Sequence, residues 1–334
     1  MGTPSAGTGA DHSRDVTIIM YHYVRPLARS RFPRLRALDL DRFRGQLDHL
    51  CRHYTPVSME EVVAAGRDGT PLPPKPVLLT FDDGFADHYR YAFPLLRARG
   101  VRGAFFPPAS AVLERRMLDV HKIHCLLATV TDHDRLAADM ERLVDDAHCN
   151  APDTVAPTAV YRDRWRRSDG LDTAVVVYLK SMMQHALPDP HRSWIADALF
   201  HDHVSADEAT MAEEFYVDPD QLRVMMDAGM HVGGHGDRHL WHSRISTADK
   251  TAEIDGSLRL LRQLGLADGA WTYCYPNGDY DTETITLLSA RGCAAAVIVG
   301  DAVAQLGGPN RLMELPRLDT TRFPTDANAP MGLL

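Results

Sequence analysis

Two adjacent carboxylates stand out among the residues that could carry chemistry. Asp82 and Asp83 belong to residues 80–85 (TFDDGF), which follow an apolar stretch typical of a buried strand. Because neighbouring side chains of a strand point in different directions, one carboxylate could bind a cation while the other stays ionised beside it and accepts a proton. An Asp-Gly turn that only closes a loop is the alternative interpretation.

Two histidines four residues apart form a second group. His235 and His239 belong to residues 233–239 (GGHGDRH). If this stretch turns helically, both imidazoles lie on one face and can reach one metal ion. One aspartate added to them gives a two-histidine, one-carboxylate set that leaves positions for water and substrate. The flanking His231 and His242 are interpreted as supporting or surface groups.

Two further segments end predicted strands with residues that could act on a substrate. Residues 273–280 (YCYPNGDY) contain a Pro-Asn-Gly turn, whose exposed backbone N–H groups could stabilise a developing oxyanion. A plain β-turn is the alternative. His22, within residues 20–23 (MYHY), ends the first predicted strand, where a single histidine is more often packed than catalytic.

The elements that must position these residues alternate between strands and helices. Strands are predicted at residues 16–21, 77–80, 103–106, 230–234, 271–275, 294–299 and 315–318. Helices are predicted at residues 41–53, 87–99, 218–228, 247–264 and 281–291, and a capping box of Ser58 and Glu61 opens another. This alternation predicts an α/β fold with a parallel sheet closed into a (β/α) barrel, in which chemistry collects where strands end.

The same patterns predict four parts of the chain. Residues 16–107 and 218–320 form the barrel, and residues 108–217, whose periodicity is helical throughout, form a helical insertion. Residues 1–15 are expected to be a disordered leader and residues 321–334 a tail. Two roles are left open for the insertion. It could form a lid over the barrel mouth, or it could be a decoration or a homodimer contact.

Composition narrows the classes of partner. The 334 residues are 45% hydrophobic and 24% charged, with a net charge of -9, which argues against a protein that binds nucleic-acid phosphates. The five cysteines are odd in number and scattered, as in cytoplasmic proteins with reduced thiols. Neither a signal-peptide pattern nor a membrane-spanning apolar run is visible. We therefore expect a cytoplasmic protein with no nucleic-acid partner and no membrane span.

Taken together, the motifs resemble a known family. TFDDG after an apolar strand, HxxxH after a glycine-rich strand and YPNG before a helix follow the order seen in the polysaccharide deacetylases, carbohydrate esterase family 4 with its NodB homology region. The resemblance covers residues 16–23, 77–107 and 218–319. It implies a distorted (β/α) barrel of the NodB type and a divalent metal ion, usually zinc. It also implies hydrolysis of an N-acetyl group from an amino sugar.

The resemblance assigns a role to each matching residue. Asp83, His235 and His239 correspond to the metal ligands of the family. Asp82 corresponds to the general base that deprotonates the attacking water, and the backbone N–H of Asn277 to the oxyanion donor.

The general acid and two other positions depart from the usual pattern. Many members supply the acid from a late Leu-His motif, but residues 315–319 read LPRLD here. A sub-group resembling the exopolysaccharide poly-N-acetylglucosamine deacetylases uses the histidine of an N-terminal MYH motif, so His22 is the candidate acid. Gly236 replaces the usual hydroxyl residue after the first histidine. The arginine that commonly precedes the third motif is absent, and Arg317 could pair with Asp82 instead.

The expected products are acetate and a free amino sugar. A cytoplasmic enzyme would meet nucleotide-linked, lipid-linked or oligomeric N-acetylated amino sugars, as in surface-polysaccharide assembly. Two alternatives stay open: a deformylase or cyclic-amide hydrolase with the same site, and a carbohydrate-binding protein without activity.

Overall fold

The computed structural model describes residues 15–266, 271–307 and 311–331. The predicted leader, apart from Asp15, therefore lies outside the described residues, as do residues 332–334 of the predicted tail.

Within the described residues the strands are short and are numbered in chain order. They are β1 (Asp15–Tyr21), β2 (Val24–Arg25), β3 (Leu38–Asp39), β4 (Thr55–Pro56), β5 (Pro76–Asp82), β6 (Ala104–Phe106), β7 (His231–Val232), β8 (Thr272–Cys274), β9 (Ala295–Val299), β10 (Ala304–Gln305) and β11 (Leu315–Asp319).

The helices fall into two groups, one in the barrel units and one in the insertion. Those of the barrel units are α1 (Leu40–His53), α2 (Met59–Asp68), α3 (Phe93–Ala98), α11 (Pro219–Asp227), α12 (Thr247–Gln263) and α13 (Thr282–Ala290). Those of the insertion are α4 (Ala109–Leu113), α5 (Asp119–Thr129), α6 (His133–Asn150), α7 (Thr158–Trp165), α8 (Ala174–Ser181), α9 (His191–His203) and α10 (Glu208–Phe215). Two π-helical turns, His88–Ala92 and Met182–Ala186, precede α3 and follow α8.

Seven parallel strands form the barrel wall, in the order β7-β6-β5-β1-β11-β9-β8. The ring closes beyond β7, where Gly234 bridges to Tyr273 in parallel. The Gly234 N–H donates to the Thr272 carbonyl at 2.9 Å, and its carbonyl accepts from the Cys274 N–H at 2.8 Å. The predicted (β/α) barrel is thereby confirmed.

The apolar runs of the strands follow from burial on both faces. In β1, Val16 and Ile18 belong to one hydrophobic cluster, whereas the alternate residues Ile19 and Tyr21 belong to another. A strand covered on both sides needs no polar alternation, and so the sequence showed a continuous apolar run. The capping box at Ser58 forms as predicted, since both of its hydrogen bonds with Glu61 are present.

Helices occupy most of residues 108–217, and many of them pack around a core of their own. Leu136, Met140 and Val144 of α6 are buried in one cluster with Leu179 of α8 and Ile195 of α9. None of the helices in the described residues is long and apolar enough to cross a lipid bilayer.

Several two-residue strands gave no signal in the sequence. β2 and β3 pair with each other in a separate sheet, and β4 and β10 pair with β5 and β1. Two residues are too few for a periodic pattern, and these strands exist because a neighbouring strand offers its edge. Conversely, β7 is shorter than predicted, since only His231–Val232 form a ladder with β6 and the run expected to reach residue 234 ends in an isolated bridge from Gly234 to Tyr273.

Candidate active site

The paired carboxylates lie where β5 ends and turns away from the barrel. Asp82 pairs with Phe106 of β6, and the Asp83 N–H donates to the Phe106 carbonyl at 3.0 Å. Asp83 and Gly84 then adopt positive φ angles of 72° and 62°. A Cβ atom on Gly84 would lie 2.6 Å from the Cβ of Pro107, so only glycine fits this turn. The turn sends the two carboxylates in different directions.

One oxygen of Asp83 faces two imidazoles. Its Oδ1 lies 3.4 Å from Nε2 of His235 and 3.5 Å from Nε2 of His239. This oxygen is buried and accepts no hydrogen bond from the described residues. An uncompensated buried carboxylate oxygen is costly, and two imidazole nitrogens with one carboxylate oxygen are a donor set that Zn²⁺ accepts. The three side chains therefore fit a divalent ion.

The protonation states of Asp83 and His239 agree with that fit. Burial would raise the pKa of Asp83, but the neighbouring His121, His235 and His239 hold it well below its usual value. Burial and the nearby His235 lower the pKa of His239 to about 3. An ionised carboxylate and a neutral imidazole are the forms that bind metal ions. Burial would lower the pKa of His235, but the neighbouring Cys274 and Asp83 raise it well above its usual value, so this imidazole must release a proton when an ion binds.

The orientation of His235 is fixed from behind. Its Nδ1 lies 2.8 Å from the Cys274 carbonyl oxygen, which can only accept a hydrogen bond. Nδ1 therefore carries a proton, and Nε2 is the nitrogen directed towards Asp83 and offered to an ion. A hydrogen bond from the far nitrogen to a carbonyl is the usual way in which proteins orient a metal-binding histidine.

Residues 235–239 do not form the helical turn that the sequence argument took as its condition. The segment is a loop in which Gly236 and His239 have positive φ angles of 75° and 62°. It nevertheless brings the rings of His235 and His239 to a centroid distance of 4.7 Å. Two imidazoles can thus converge through left-handed backbone as well as through a helix face.

Glu253 of α12 holds this loop, and sequence reasoning missed it. Its carboxylate accepts hydrogen bonds from the backbone N–H groups of Asp237 at 3.1 Å, Arg238 at 3.0 Å and Leu240 at 3.3 Å. A Cβ atom on Gly236 would lie 2.6 Å from Glu253 Oε2. Glu253 therefore holds the loop after His235 from another element and leaves room only for glycine at position 236.

Asp82 is paired with Arg317, as the sequence suggested. The guanidinium makes two hydrogen bonds of 2.7 Å with the two carboxylate oxygens, and both side chains are buried. Burial would raise the pKa of Asp82, but Arg317 lowers it to about 2. The carboxylate is therefore ionised at neutral pH. Arg317 is further held by Thr80 Oγ1 at 3.1 Å and Cys274 Sγ at 3.2 Å.

His22 lies at the open edge of the cluster. Its Nε2 is 3.8 Å from Asp82 Oδ2, and 44% of its side chain is exposed. Its backbone carbonyl accepts a hydrogen bond from His88 Nε2 at 2.8 Å, which fixes the end of β1. The alternative interpretation, a packed strand-end histidine, does not match this exposure.

Asn277 lies on another side of the cluster. Its φ angle is 58°, and its N–H donates no hydrogen bond within the part of the chain that the structure describes. Asn277 and His239 line a cavity of about 20 Å³, together with Met183 and Gln184 of the insertion. Such a space holds about one water molecule.

The two flanking histidines stand apart from this cluster. His231 lies 2.7 Å from both Glu60 Oε1 and Thr272 Oγ1. His242 is buried with its Nε2 2.7 Å from the Tyr273 hydroxyl. Their interpretation as supporting or surface groups agrees with these contacts.

The insertion adds a histidine that the sequence patterns did not reveal. His121 of α5 is fully buried, with Nε2 3.3 Å from Asp83 Oδ2 and Nδ1 2.6 Å from the Tyr216 hydroxyl. It belongs to no motif, and it is one of 17 histidines in the chain. Only the folded arrangement distinguishes it.

A family model described as "Polysaccharide deacetylase" matches residues 69–148 and 193–296, together more than half of the chain. These ranges extend into the insertion, which the motifs had left uncovered. A curated relative, "Poly-beta-1,6-N-acetyl-D-glucosamine N-deacetylase" of Escherichia coli (strain K12), is 51% identical over 45 residues. That segment covers 14% of this chain and 7% of the relative.

Solved structures resemble the fold over nearly its whole length. The deacetylase PplD of Streptococcus pyogenes, in complex with acetate, has a TM-score of 0.55 at 16% identity and covers 91% of this chain and 92% of its own. IcaB of Ammonifex degensii has a TM-score of 0.55 at 18% identity, covering 92% of each chain. The BpsB deacetylase domain of Bordetella bronchiseptica has a TM-score of 0.53 at 16% identity, covering 93% and 97%.

Proposed function

Because the chain belongs to the polysaccharide deacetylase family, we propose that it removes an N-acetyl group from an amino sugar by metal-dependent hydrolysis. The observation that carries this proposal is the convergence of Asp83, His235 and His239 beside the arginine-paired Asp82. A carboxylate and two imidazoles with an ionised second carboxylate next to them form the set that amide hydrolysis needs.

Asp83, His235 and His239 would hold the ion, for which Zn²⁺ is the first candidate because of their nitrogen and oxygen donors. Bound there, a divalent ion polarises a carbonyl oxygen and lowers the pKa of water. The protein's own contribution is to keep Asp83 ionised and His239 neutral.

Asp82 is the proposed general base. Arg317 fixes both of its oxygens and keeps it ionised, so that it can accept the proton of the attacking water. The water oxygen then bonds to the amide carbon. The backbone N–H of Asn277, which has no partner among the described residues, is free to donate to the oxyanion.

His22 is the proposed general acid. When the bond between the carbonyl carbon and the sugar nitrogen breaks, the nitrogen needs a proton, and an imidazole can supply it. The exposed position of His22, 3.8 Å from Asp82, supports this role because it can reach a sugar bound at the barrel mouth. The products are acetate and a free amine.

The proposed substrate is an N-acetylated amino sugar, in nucleotide-linked, lipid-linked or oligomeric form, used in surface-polysaccharide metabolism. The name of the curated relative makes β-1,6-linked N-acetylglucosamine oligomers the first substrate to test. The five free cysteines support a cytoplasmic location, which cell fractionation would test.

The deciding experiment measures acetate released by the zinc-loaded protein. Short β-1,6-linked N-acetylglucosamine oligomers and nucleotide-linked N-acetylglucosamine serve as substrates, with N-formyl analogues beside them. We expect one acetate for each new amine, and no release after treatment with a chelator. Formate release without acetate, or no release from any of these sugars, would contradict the proposal.

A further inference from the structure

His121 contacts the proposed metal site without belonging to its ligand set. Its Nε2 faces Asp83 Oδ2, whereas both His235 and His239 face Asp83 Oδ1. Among the described residues, the group of ligand atoms within 4.8 Å of one another around Asp83 comprises Asp83, His235 and His239, and it does not include His121. The two oxygens of one carboxylate are thus approached by different partners.

We propose that His121 is a positioning residue, which holds Asp83 Oδ2 so that Oδ1 is the oxygen offered to the ion. The proposal rests on the metal site described above. A carboxylate can rotate about its terminal bond, and binding a metal through a chosen oxygen requires that this rotation be restricted. His121 Nε2 has no hydrogen-bond partner among the described residues and lies 3.3 Å from Oδ2, so a proton on it would restrict that rotation, and such partners tune metal affinity.

The tautomer of His121 follows from its neighbours. The Tyr216 hydroxyl oxygen accepts a hydrogen bond from the Leu118 N–H at 3.1 Å and lies 2.6 Å from His121 Nδ1. If Nε2 carried no proton, its lone pair would face the Asp83 carboxylate at 3.3 Å in a buried space, which is unfavourable. The arrangement therefore places the proton on Nε2, and the Tyr216 hydroxyl donates to Nδ1.

The imidazole is also held rigidly in place. The rings of Phe85 and His121 lie 4.7 Å apart between centroids, and Phe85 stacks on Tyr216 at 6.3 Å. Phe85 and Tyr216 form a backbone bridge, and the Val217 N–H donates to the Gly84 carbonyl at 2.9 Å. His121 is thus packed against the same turn that presents Asp83, so that a shift of one would move the other.

The test compares Zn²⁺ dissociation constants in competition with a chromophoric chelator. His121→Phe keeps a ring but removes the N–H, and we expect it to weaken binding roughly 10–100-fold. His121→Gln retains an N–H donor and should restore most of the affinity. His124→Phe is the matched control, because His124 lies one turn along α5 and contacts Tyr23 at 3.2 Å rather than Asp83. It should bind Zn²⁺ as the wild type does.

Melting curves of the metal-free proteins establish that each variant folds. Should His121→Phe fail to fold, Tyr216→Phe removes only the hydroxyl on Nδ1 and provides the second measurement, again with weaker binding expected. Unchanged affinity in the folded variants would overturn this inference alone, whereas a wild type that binds no Zn²⁺ would overturn the proposed function. X-ray absorption should count two imidazoles on the ion; three would make His121 a ligand and also overturn the inference.

Discussion

Asp83 is approached from two regions of the molecule, the barrel and the insertion. The barrel brings His235 and His239 to one of its oxygens from a loop that follows β7, and the insertion brings His121 to the other from the first turn of α5. In a parallel barrel every strand ends at the same face, so residues after strands meet without any specific long-range signal. A residue on an inserted helix reaches the site only through the packing of that helix. Local pattern therefore predicts the first kind of contact and not the second.

The largest expected effect concerns Asp82, the proposed base that the barrel contributes to the site. Asp82→Asn should lower the rate of acetate release by roughly 10²–10⁴-fold, because the base is lost. Zn²⁺ should stay bound, since Asp82 is not one of the proposed ligands. Single-turnover kinetics and metal analysis measure both quantities.

Asp87→Asn is the matched control for that variant. Asp87 is also buried and bonded to an arginine, Arg25, at 2.7 Å, but it lies outside the cluster. It should cost stability without a comparable loss of rate. Near-normal turnover in Asp82→Asn would mean that another residue is the general base.

The second prediction compares the loss of Zn²⁺ affinity caused by a barrel residue with the loss caused by an insertion residue. His239→Ala removes a proposed ligand, and it should therefore weaken Zn²⁺ binding by more than the roughly 10–100-fold expected for a residue behind the ligands, such as His121. His242→Ala, which removes a buried imidazole that bonds Tyr273 instead, should leave affinity unchanged. Equal losses in the His239 and His121 variants would erase the distinction between ligand and positioning residue.

The third prediction concerns the barrel rim. His22→Ala should lower kcat by about 10²-fold and remove the alkaline limb of the pH–rate profile, because an acid that donates a proton in each turnover imposes that limb. Zn²⁺ affinity and melting temperature should change little, since the side chain is 44% exposed. A stable variant with full activity would exclude His22 from the mechanism.

The smallest expected effect is on stability, in the loop that Glu253 holds. Gly236→Ala should destabilise the fold by about 2–3 kcal/mol, because a positive φ and a collision with Glu253 add together. Gly100→Ala isolates the first contribution, since Gly100 has a φ of 66° and nothing within 4 Å of its added Cβ. Urea unfolding of both variants gives the difference in the free energy of unfolding. Equal destabilisation would mean that the loop or Glu253 shifts to accommodate the added Cβ atom.

Sequence prediction succeeded for contacts made by residues that follow barrel strands, and it failed for contacts made across the fold from helices. Continuous apolar runs and capping residues located the barrel strands and most of their helices, and the residues after them coincide with the cluster around Asp83. The loop conformation of residues 235–239 could not be predicted, because left-handed backbone at Gly236 and His239 leaves no periodic trace. Glu253 and His121 were missed because each acts across the fold from a helix whose pattern reflects only burial.

The two ends of the insertion are bonded to the two loops that carry the proposed ligands. The Val217 N–H reaches the Gly84 carbonyl, and the N–H groups of Ala109 and Ser110 reach the carbonyls of Gly236 and Asp237 at 3.0 and 3.1 Å. Replacing the whole insertion by another segment would therefore remove hydrogen bonds that hold the two ligand loops. The interior of the insertion packs around a core of its own, but its two ends are hydrogen-bonded to the loops that carry Asp83, His235 and His239. Changing the length of the insertion would therefore require that the hydrogen bonds at these junctions be kept.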